Sequence, residues 1–281
     1  MVETYFRKVQ NHLACRKVDL QAAYYLFRNT SFRKAQRILQ LGRRPIVIGG
    51  CGRSGTTLLL SVLSCHPKIF AIDIETVALC PDGYGADGMY NQAPNLDVPF
   101  RLERIYQYFI EREIPAGNTR WCEKTPRNVL YFGRILQHFG TRVRLLHMVR
   151  DGRDVVTSIH PRAPTRFWVT PHRWVQDVAA GREFENHPQV LTIFYEDLVR
   201  EYEATMRRIC EFIDEEFVEA FLSYPDSARL KETGAWFHPA QATTDKSIGR
   251  WKDPKYREVI ESFWREPMAG ELMQHYGYDK V

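Results

Sequence analysis

The sequence has 281 residues, of which 44% are hydrophobic and 26% are charged. This globular composition excludes intrinsic disorder, collagen and a coiled coil for the chain as a whole, and the length suits one large domain or two small ones. No apolar run approaches the roughly 20 residues that a membrane-spanning helix needs. The first residues also lack the apolar stretch of a secretory signal, so we expect a cytoplasmic protein.

The net charge of +5 is unevenly distributed along the chain. Residues 1–44 contain ten Lys and Arg but only two acidic residues, Glu3 and Asp19. Apolar residues at helical spacing between these charges predict a basic helical extension, 1–44, packed on a single α/β domain, 45–281. The sequence leaves open whether the basic side chains are solvated or contact a membrane surface, and whether the protein forms a homodimer; we expect no nucleic-acid partner.

Five short apolar runs of the buried-strand type alternate with helical patterns. The predicted strands are 45–50, 68–72, 120–123, 142–149 and 190–195. The predicted helices are 57–64, 128–139, 154–160, 196–213, 215–223 and 256–276. This alternation predicts an α/β fold with a central parallel sheet. Residues 81–99 are rich in Gly, Pro, Asn and Asp and predict a long loop near the substrate.

The six cysteines form no CxxC pair and have no accompanying cluster of histidines. Their spacing therefore predicts neither a zinc site nor a disulfide framework, and we expect no metal.

The sharpest motif, IVIGGCGRSGTTLL, covers residues 46–59. A buried strand enters a glycine-rich turn, and the turn opens a helix whose first amides can hold an anion. Gly50 and Gly55 have the spacing of a nucleotide-triphosphate loop, but Thr56 stands where that loop has its lysine. The motif therefore predicts a P-loop-like three-layer α/β/α domain with an anion site, and it argues against ATP or GTP hydrolysis.

A second motif, RDGRDVVTS, follows the fourth predicted strand and covers residues 150–158. Arg150 lies at the end of that strand, Ser158 follows about two helical turns later, and Arg162 lies four residues beyond. Arginine is a bidentate donor to phosphate, and ligands of open α/β sheets bind outside the C-terminal ends of the strands. The two motifs together predict one ligand with anionic groups at both ends.

With these motifs the sequence resembles the sulfotransferases that use 3′-phosphoadenosine 5′-phosphosulfate (PAPS). GGCGRSGTTLL resembles their 5′-phosphosulfate loop, and RDGRDVVTS resembles their 3′-phosphate motif. The resemblance spans residues 45–251 and is greatest to the branch of tyrosylprotein sulfotransferases and bacterial relatives. It implies a PAPS-dependent enzyme without a metal, whose acceptor is a hydroxyl on a small molecule, carbohydrate or peptide.

The resemblance also implies roles for single residues. The donor would be held by Arg53, Ser54, Gly55, Thr56, Thr57, Arg150, Ser158, Arg162 and, near the adenine, Tyr195. Glu75 in HPKIFAIDIET matches the general base, and Asp73 is its rival because this sequence is one residue longer there. Lys124 in WCEKTP resembles the transition-state lysine, and Ser247 in KSIGRW resembles the C-terminal serine.

Other interpretations stay open at this point. His160, His172 and His238 are alternative bases because histidine titrates near neutral pH. A metal-dependent phosphotransferase of the P-loop class would need the missing lysine. A non-catalytic nucleotide-binding protein would not depend on Glu75 or Lys124 for any activity.

Overall fold

The computed structural model describes residues 2–83, 93–160, 163–231 and 244–278, with side chains except those of 2–12 and 160–165. Residues 84–92 of the loop at 81–99 lie outside the described residues, as do Arg162 and His238.

The centre of the fold is a five-stranded parallel sheet. Its strands are β1 (Ile46–Gly50), β2 (Ile69–Ala71), β3 (Arg120–Lys124), β4 (Arg144–Val149) and β7 (Val190–Phe194), and a separate ribbon pairs β5 (Ile159–His160) with β6 (Ala163–Phe167). The sheet order is β2-β3-β1-β4-β7, so β1 lies in the middle and is parallel to both neighbours. All five predicted strands are confirmed, whereas the β5–β6 ribbon was not predicted.

Helices cover the two faces of this sheet. They are α1 (Val2–Asn29), α2 (Phe32–Leu41), α3 (Thr56–Leu63), α4 (Leu102–Ile110), α5 (Phe132–Phe139), α6 (Gly152–Val156), α7 (Pro171–Arg182), α8 (Tyr195–Arg200), α9 (Tyr202–Phe212), α10 (Arg257–Arg265) and α11 (Ala269–His275). Val47 of β1 packs into one apolar cluster, and its neighbours Ile46 and Ile48 pack into another. Because successive strand side chains point to opposite faces, the two clusters are two helix–sheet interfaces, and the three-layer α/β/α prediction is confirmed.

The basic segment forms α1 and α2 on one face of the fold. Ala22 and Leu26 of α1 are buried in the same cluster as Val47, and α1 packs against α4. No described helix combines the length and the apolar character that crossing a bilayer requires.

Several predicted helices are shorter or broken in the structure. The helix predicted at 154–160 ends at Val156, because the Thr157 and Ser158 hydroxyls donate to main-chain carbonyls of α6 and β5 follows. The helix predicted at 256–276 is interrupted at Pro267, which has no amide hydrogen to continue it.

The helix predicted at 215–223 is wrong except for a 3₁₀ turn at Glu219–Phe221. Asp214 adopts a left-handed backbone with φ 57°, which ends the preceding helix. Glu215 then turns inward to pair with Lys68 and Arg120, so its side chain is committed to the body of the domain. The helix predicted at 196–213 divides at Glu201 into α8 and α9.

Candidate active site at the C-terminal rim of the sheet

The glycine-rich loop between β1 and α3 has open backbone amides at the start of the helix. Gly55 is the cap residue of α3 in a left-handed conformation, φ 91°, and no side chain caps the helix. The preceding Arg53 also has a positive φ of 70°, and the Ser54 hydroxyl is buried without a hydrogen-bond partner among the described residues. Unsatisfied amides and a buried hydroxyl are what an anion would complete.

The loop can approach its neighbours this closely only with glycine. A Cβ atom at Gly55 would lie 2.5 Å from Cδ2 of Tyr195, and one at Gly50 would collide with the carbonyl oxygen of Met148. The ring of Tyr195, the first residue of α8, therefore lies directly against the loop. Thr56 is buried and Thr57 is partly exposed at the start of the helix.

Three arginines from distant parts of the chain share this rim. Arg150, after β4, donates to the main-chain oxygen of Arg53 at 3.1 Å, and Arg250 follows a turn near the C-terminus. The Nε atom of each arginine is shielded from solvent without a partner, and none has a carboxylate within 4.0 Å among the described residues. Burial lowers the pKa of the Arg53 and Arg250 guanidinium groups, and the Arg150 charge lowers both further. Such mutual repulsion is relieved by a bound anion.

The C-terminal segment that contains Ser247 packs against the site. Arg150 donates to the Ser247 carbonyl at 2.6 Å, and its guanidinium lies 4.1 Å from the centre of the Tyr195 ring. The hydroxyl groups of Tyr195 and Ser247 are 2.8 Å apart. The structure thus brings these predicted site residues together with the glycine-rich loop.

Ser158 meets Arg250, a residue to which the sequence analysis gave no role. Its hydroxyl accepts from Arg250 at 2.7 Å and donates to the Asp154 carbonyl at 3.1 Å. The Asp154 carboxylate in turn accepts from the amides of Gly249, at 2.8 Å, and Trp251, at 3.3 Å. The one sequence signal for Arg250 is its position three residues after the predicted Ser247. The Asp154 contacts to Gly249 and Trp251 hold the backbone on both sides of Arg250.

Glu75 and Lys124 form an ion pair at the same end of the sheet. The Lys124 ammonium contacts Oε1 of Glu75, and the Lys124 side chain is 3% exposed. Lys124 is the last residue of β3 and stands in register with Ile48, three residues before the glycine-rich loop begins at Cys51. The pair therefore lies beside the loop, with a proton acceptor and a cation in contact.

Glu123, a buried residue that the sequence analysis did not single out, holds this pair in place. Its carboxylate accepts hydrogen bonds from Thr76 at 2.9 Å, from Thr125 at 2.6 Å and from Asn128 at 2.6 Å. Thr125 is the cap residue of the 3₁₀ helix Pro126–Tyr131, and its hydroxyl donates to Glu123 while making no capping bond to that helix. Burial raises the pKa of Glu123, and the three donors oppose that rise. One carboxylate thus fixes the neighbours of both Glu75 and Lys124.

Two of the rival bases, Asp73 and His172, interact with other residues. Asp73 pairs with Arg112 at 3.6 Å, whereas Lys124 pairs with Glu75. His172 lies at the surface, 2.9 Å from Glu266. No group of three or more His, Cys, Asp or Glu side chains in the described parts of the chain is arranged to hold a metal ion.

Comparison with known proteins associates this geometry with one family. The sequence profile described as "Sulfotransferase family" matches residues 45–219, more than half of the chain. A protein-tyrosine sulfotransferase A of Caenorhabditis elegans is 29% identical over 191 residues, 60% of this chain and 49% of that protein. The chain thus spans about half the length of this curated relative.

Solved structures with the same fold point in the same direction. The sulfotransferase domain of the Synechococcus PCC 7002 olefin synthase has a TM-score of 0.53 at 17% identity and covers 85% of this chain and 95% of its own. A mouse sulfotransferase complexed with PAP has a TM-score of 0.51 at 17% identity, covering 86% and 94%. At these identities the likeness concerns the fold.

Proposed function

This chain belongs to the sulfotransferase family, and we propose that it transfers a sulfuryl group from PAPS to an acceptor hydroxyl. One observation carries the proposal: Arg53, Arg150 and Arg250 lie together at the C-terminal rim of the sheet, and none of them has a carboxylate partner among the described residues. Amides and guanidinium groups there supply the field for a doubly anionic nucleotide.

The residues present fit such a donor. The open amides of the α3 start, with the unpartnered Ser54 hydroxyl and the threonines at 56 and 57, would hold the 5′-phosphosulfate. Arg150, Ser158 and Arg250 would hold the 3′-phosphate, with Tyr195 beside them. PAPS supplies an activated sulfuryl group, and a mouse protein of the same fold is complexed with PAP.

The Glu75–Lys124 pair would carry out the chemistry. The acceptor oxygen forms a bond to sulfur while the bond from sulfur to the bridging phosphate oxygen breaks, and Glu75 takes the hydroxyl proton. Lys124 stabilises the negative charge that develops on the leaving phosphate and the sulfuryl oxygens, with Ser247 close by. Positioning and fixed charge dominate, as in phosphoryl transfer. The proposed acceptor is any molecule that presents a hydroxyl group.

The donor half is tested by ligand binding. Adenosine 3′,5′-bisphosphate, the expected product, should raise the melting temperature in the absence of magnesium, since a ligand that binds only the folded state stabilises it. Stabilisation by ATP with magnesium but not by the bisphosphate would overturn the proposal.

The catalytic half is tested by a matched pair of carboxamides. Glu75→Gln should lower the rate of sulfation of an acceptor pool by about 10²–10⁴-fold, the usual range for loss of a general base, with bisphosphate binding retained. Asp73→Asn, two residues away, is the control and should change the rate little. If Asp73→Asn abolishes sulfation and Glu75→Gln does not, Asp73 is the base.

A further inference from the structure

The side of α1 that faces away from the domain carries large apolar side chains in contact with solvent. Leu13, Leu20 and Phe27 are spaced by seven residues, and Tyr24 lies between the last two, so all four fall on one face of the helix. Leu20 is 70% exposed and Tyr24 68%. Phe32 of α2 extends this row, since its ring lies 5.7 Å from that of Phe27. We call these five side chains the outer face.

The opposite side of α1 is fixed to the domain. Ala22 and Leu26 are buried there, and His138 of α5 lies 3.0 Å from the Asp19 carboxylate. The outer face is therefore held outward by packing, and its exposure belongs to the folded protein.

Basic side chains border the outer face on both sides. Arg16 and Lys17 follow Leu13 by three and four residues, Arg28 follows Tyr24 by four, and all three are exposed. Asp19 is the one acidic residue in the sequence from 13 to 44, and it is the partner of His138. An apolar row between two basic borders, with the acidic group turned away, is the pattern of a helix that lies in a membrane interface.

We propose that the outer face binds the surface of a membrane that contains anionic phospholipids. The apolar row enters the boundary between headgroups and acyl chains, and the flanking arginines and lysine reach the phosphate groups with their flexible stems. Anionic lipid complements the excess positive charge of this segment. A second copy of the chain does not, because two basic borders would then face each other.

Vesicle binding tests the surface with a matched pair of exposed leucines. The full chain should sediment with vesicles of mixed phosphatidylcholine and phosphatidylserine and far less with phosphatidylcholine alone. Leu20→Ser should weaken this binding severalfold, whereas Leu222→Ser, at an exposed leucine outside α1, should leave it unchanged. Both leucines are exposed, so both variants should keep the melting temperature of the parent.

A charge series tests the basic borders. Arg16→Gln, Lys17→Gln and Arg28→Gln should each weaken binding by about fivefold, the effect expected for one basic residue near an anionic surface. Arg257→Gln, an exposed control on α10, should have no effect.

Three results would overturn the inference. The first is no sedimentation with the mixed vesicles, and the second is equal binding to both lipid compositions. The third is a concentration-dependent dimer in light scattering that Leu20→Ser abolishes, which would assign the outer face to a second copy. Sulfation of a dissolved acceptor should be unchanged in every variant, so this test is independent of the proposed function.

Discussion

Both ends of the central sheet carry clusters of arginine: the cluster at the N-terminal end pairs with carboxylates, whereas Arg53, Arg150 and Arg250 at the C-terminal end do not, within the described part of the chain. At the N-terminal end of the strands, Asp214 accepts from Arg44 at 2.6 Å and from Arg144 at 2.7 Å. Glu215 lies 3.3 Å from Arg120 and 3.2 Å from Lys68. Both carboxylates come from the turn after α9, so that turn ties several strands together.

These three arginines at the C-terminal end have the opposite arrangement. Arg150 and Arg250 donate to neutral carbonyl and hydroxyl oxygens there, the Arg53 guanidinium lies 5.7 Å from the centre of the Trp168 ring, and the three guanidinium groups repel one another. A cation with a carboxylate partner holds the fold together, whereas a cation that faces other cations is available to a ligand. The comparison therefore separates structural from binding arginines of the same sheet by their partners.

The largest effect is expected at the paired end. Arg120→Ala should lower the free energy of unfolding by about 3–5 kcal/mol, because it leaves the buried Glu215 carboxylate without one of its partners. Arg120 also donates to the Arg44 carbonyl at 2.7 Å, and that bond would be lost too. Urea unfolding measures the change. A loss below about 1 kcal/mol would contradict the structural role and break the comparison.

The C-terminal end should respond in the reverse manner. Arg150→Gln should weaken binding of adenosine 3′,5′-bisphosphate by about 1.5–3 kcal/mol, the range for a hydrogen bond to a charged group. The free energy of unfolding without ligand should stay the same or rise, because repulsion among the three arginines is reduced. Calorimetric titration and urea unfolding give the two numbers. Lower stability with unchanged affinity would place Arg150 among the structural arginines.

A third kind of basic group lies midway along β4. His147 is fully buried, its ring nitrogens have no partner among the described residues, and burial lowers its pKa to about 3 from 6.5. Below pH 6.5 the unfolded chain takes up a proton that the folded chain refuses, so stability falls as the pH falls towards 3. The loss should be about 1.4 kcal/mol for each pH unit below 6.5.

The variant His147→Leu isolates this contribution. Its free energy of unfolding should fall less than that of the parent between pH 6.5 and pH 5.5, by about 1 kcal/mol. Identical pH profiles for the two proteins would show that His147 is charged or hydrated in the folded state.

The smallest effect belongs to the exposed member of the paired end. Arg44→Gln should cost only about 0.2–1 kcal/mol, because its side chain is 53% exposed and Asp214 keeps Arg144. The difference should shrink in concentrated salt, which screens exposed pairs. A loss as large as that of Arg120→Ala would mean that exposed and buried ion pairs at this end contribute equally to stability.

The sheet could be predicted from sequence because its strands are short, continuous apolar runs. Each predicted strand lies within two residues of the observed one, since burial on both faces leaves little choice of residue type. The helices at 102–110 and 171–182 were not predicted, although both have buried faces. Where prediction failed at 215–223, Glu215 is drawn inward by Lys68 and Arg120, and no local pattern reveals a partner so distant in sequence.

For the site, the glycine-rich loop and Arg150 were predictable because motif spacing places both at strand ends. The structure adds that Arg150 touches the loop and Ser247, and it pairs Glu75 rather than Asp73 with Lys124. The individual roles stay predictions. Arg250 and Glu123 could not be assigned, because their importance comes from contacts with Ser158 and Thr76 across the fold.

One guanidinium, that of Arg150, joins the carbonyl oxygens of Arg53 and Ser247, residues separated by nearly two hundred positions. During synthesis, the loop at residue 53 leaves the ribosome long before Ser247 does. A nascent chain therefore has the glycine-rich loop before it has the segment that contacts Arg150 from the other side. The proposed donor site is therefore assembled only after translation has passed Ser247, although its loop is made much earlier.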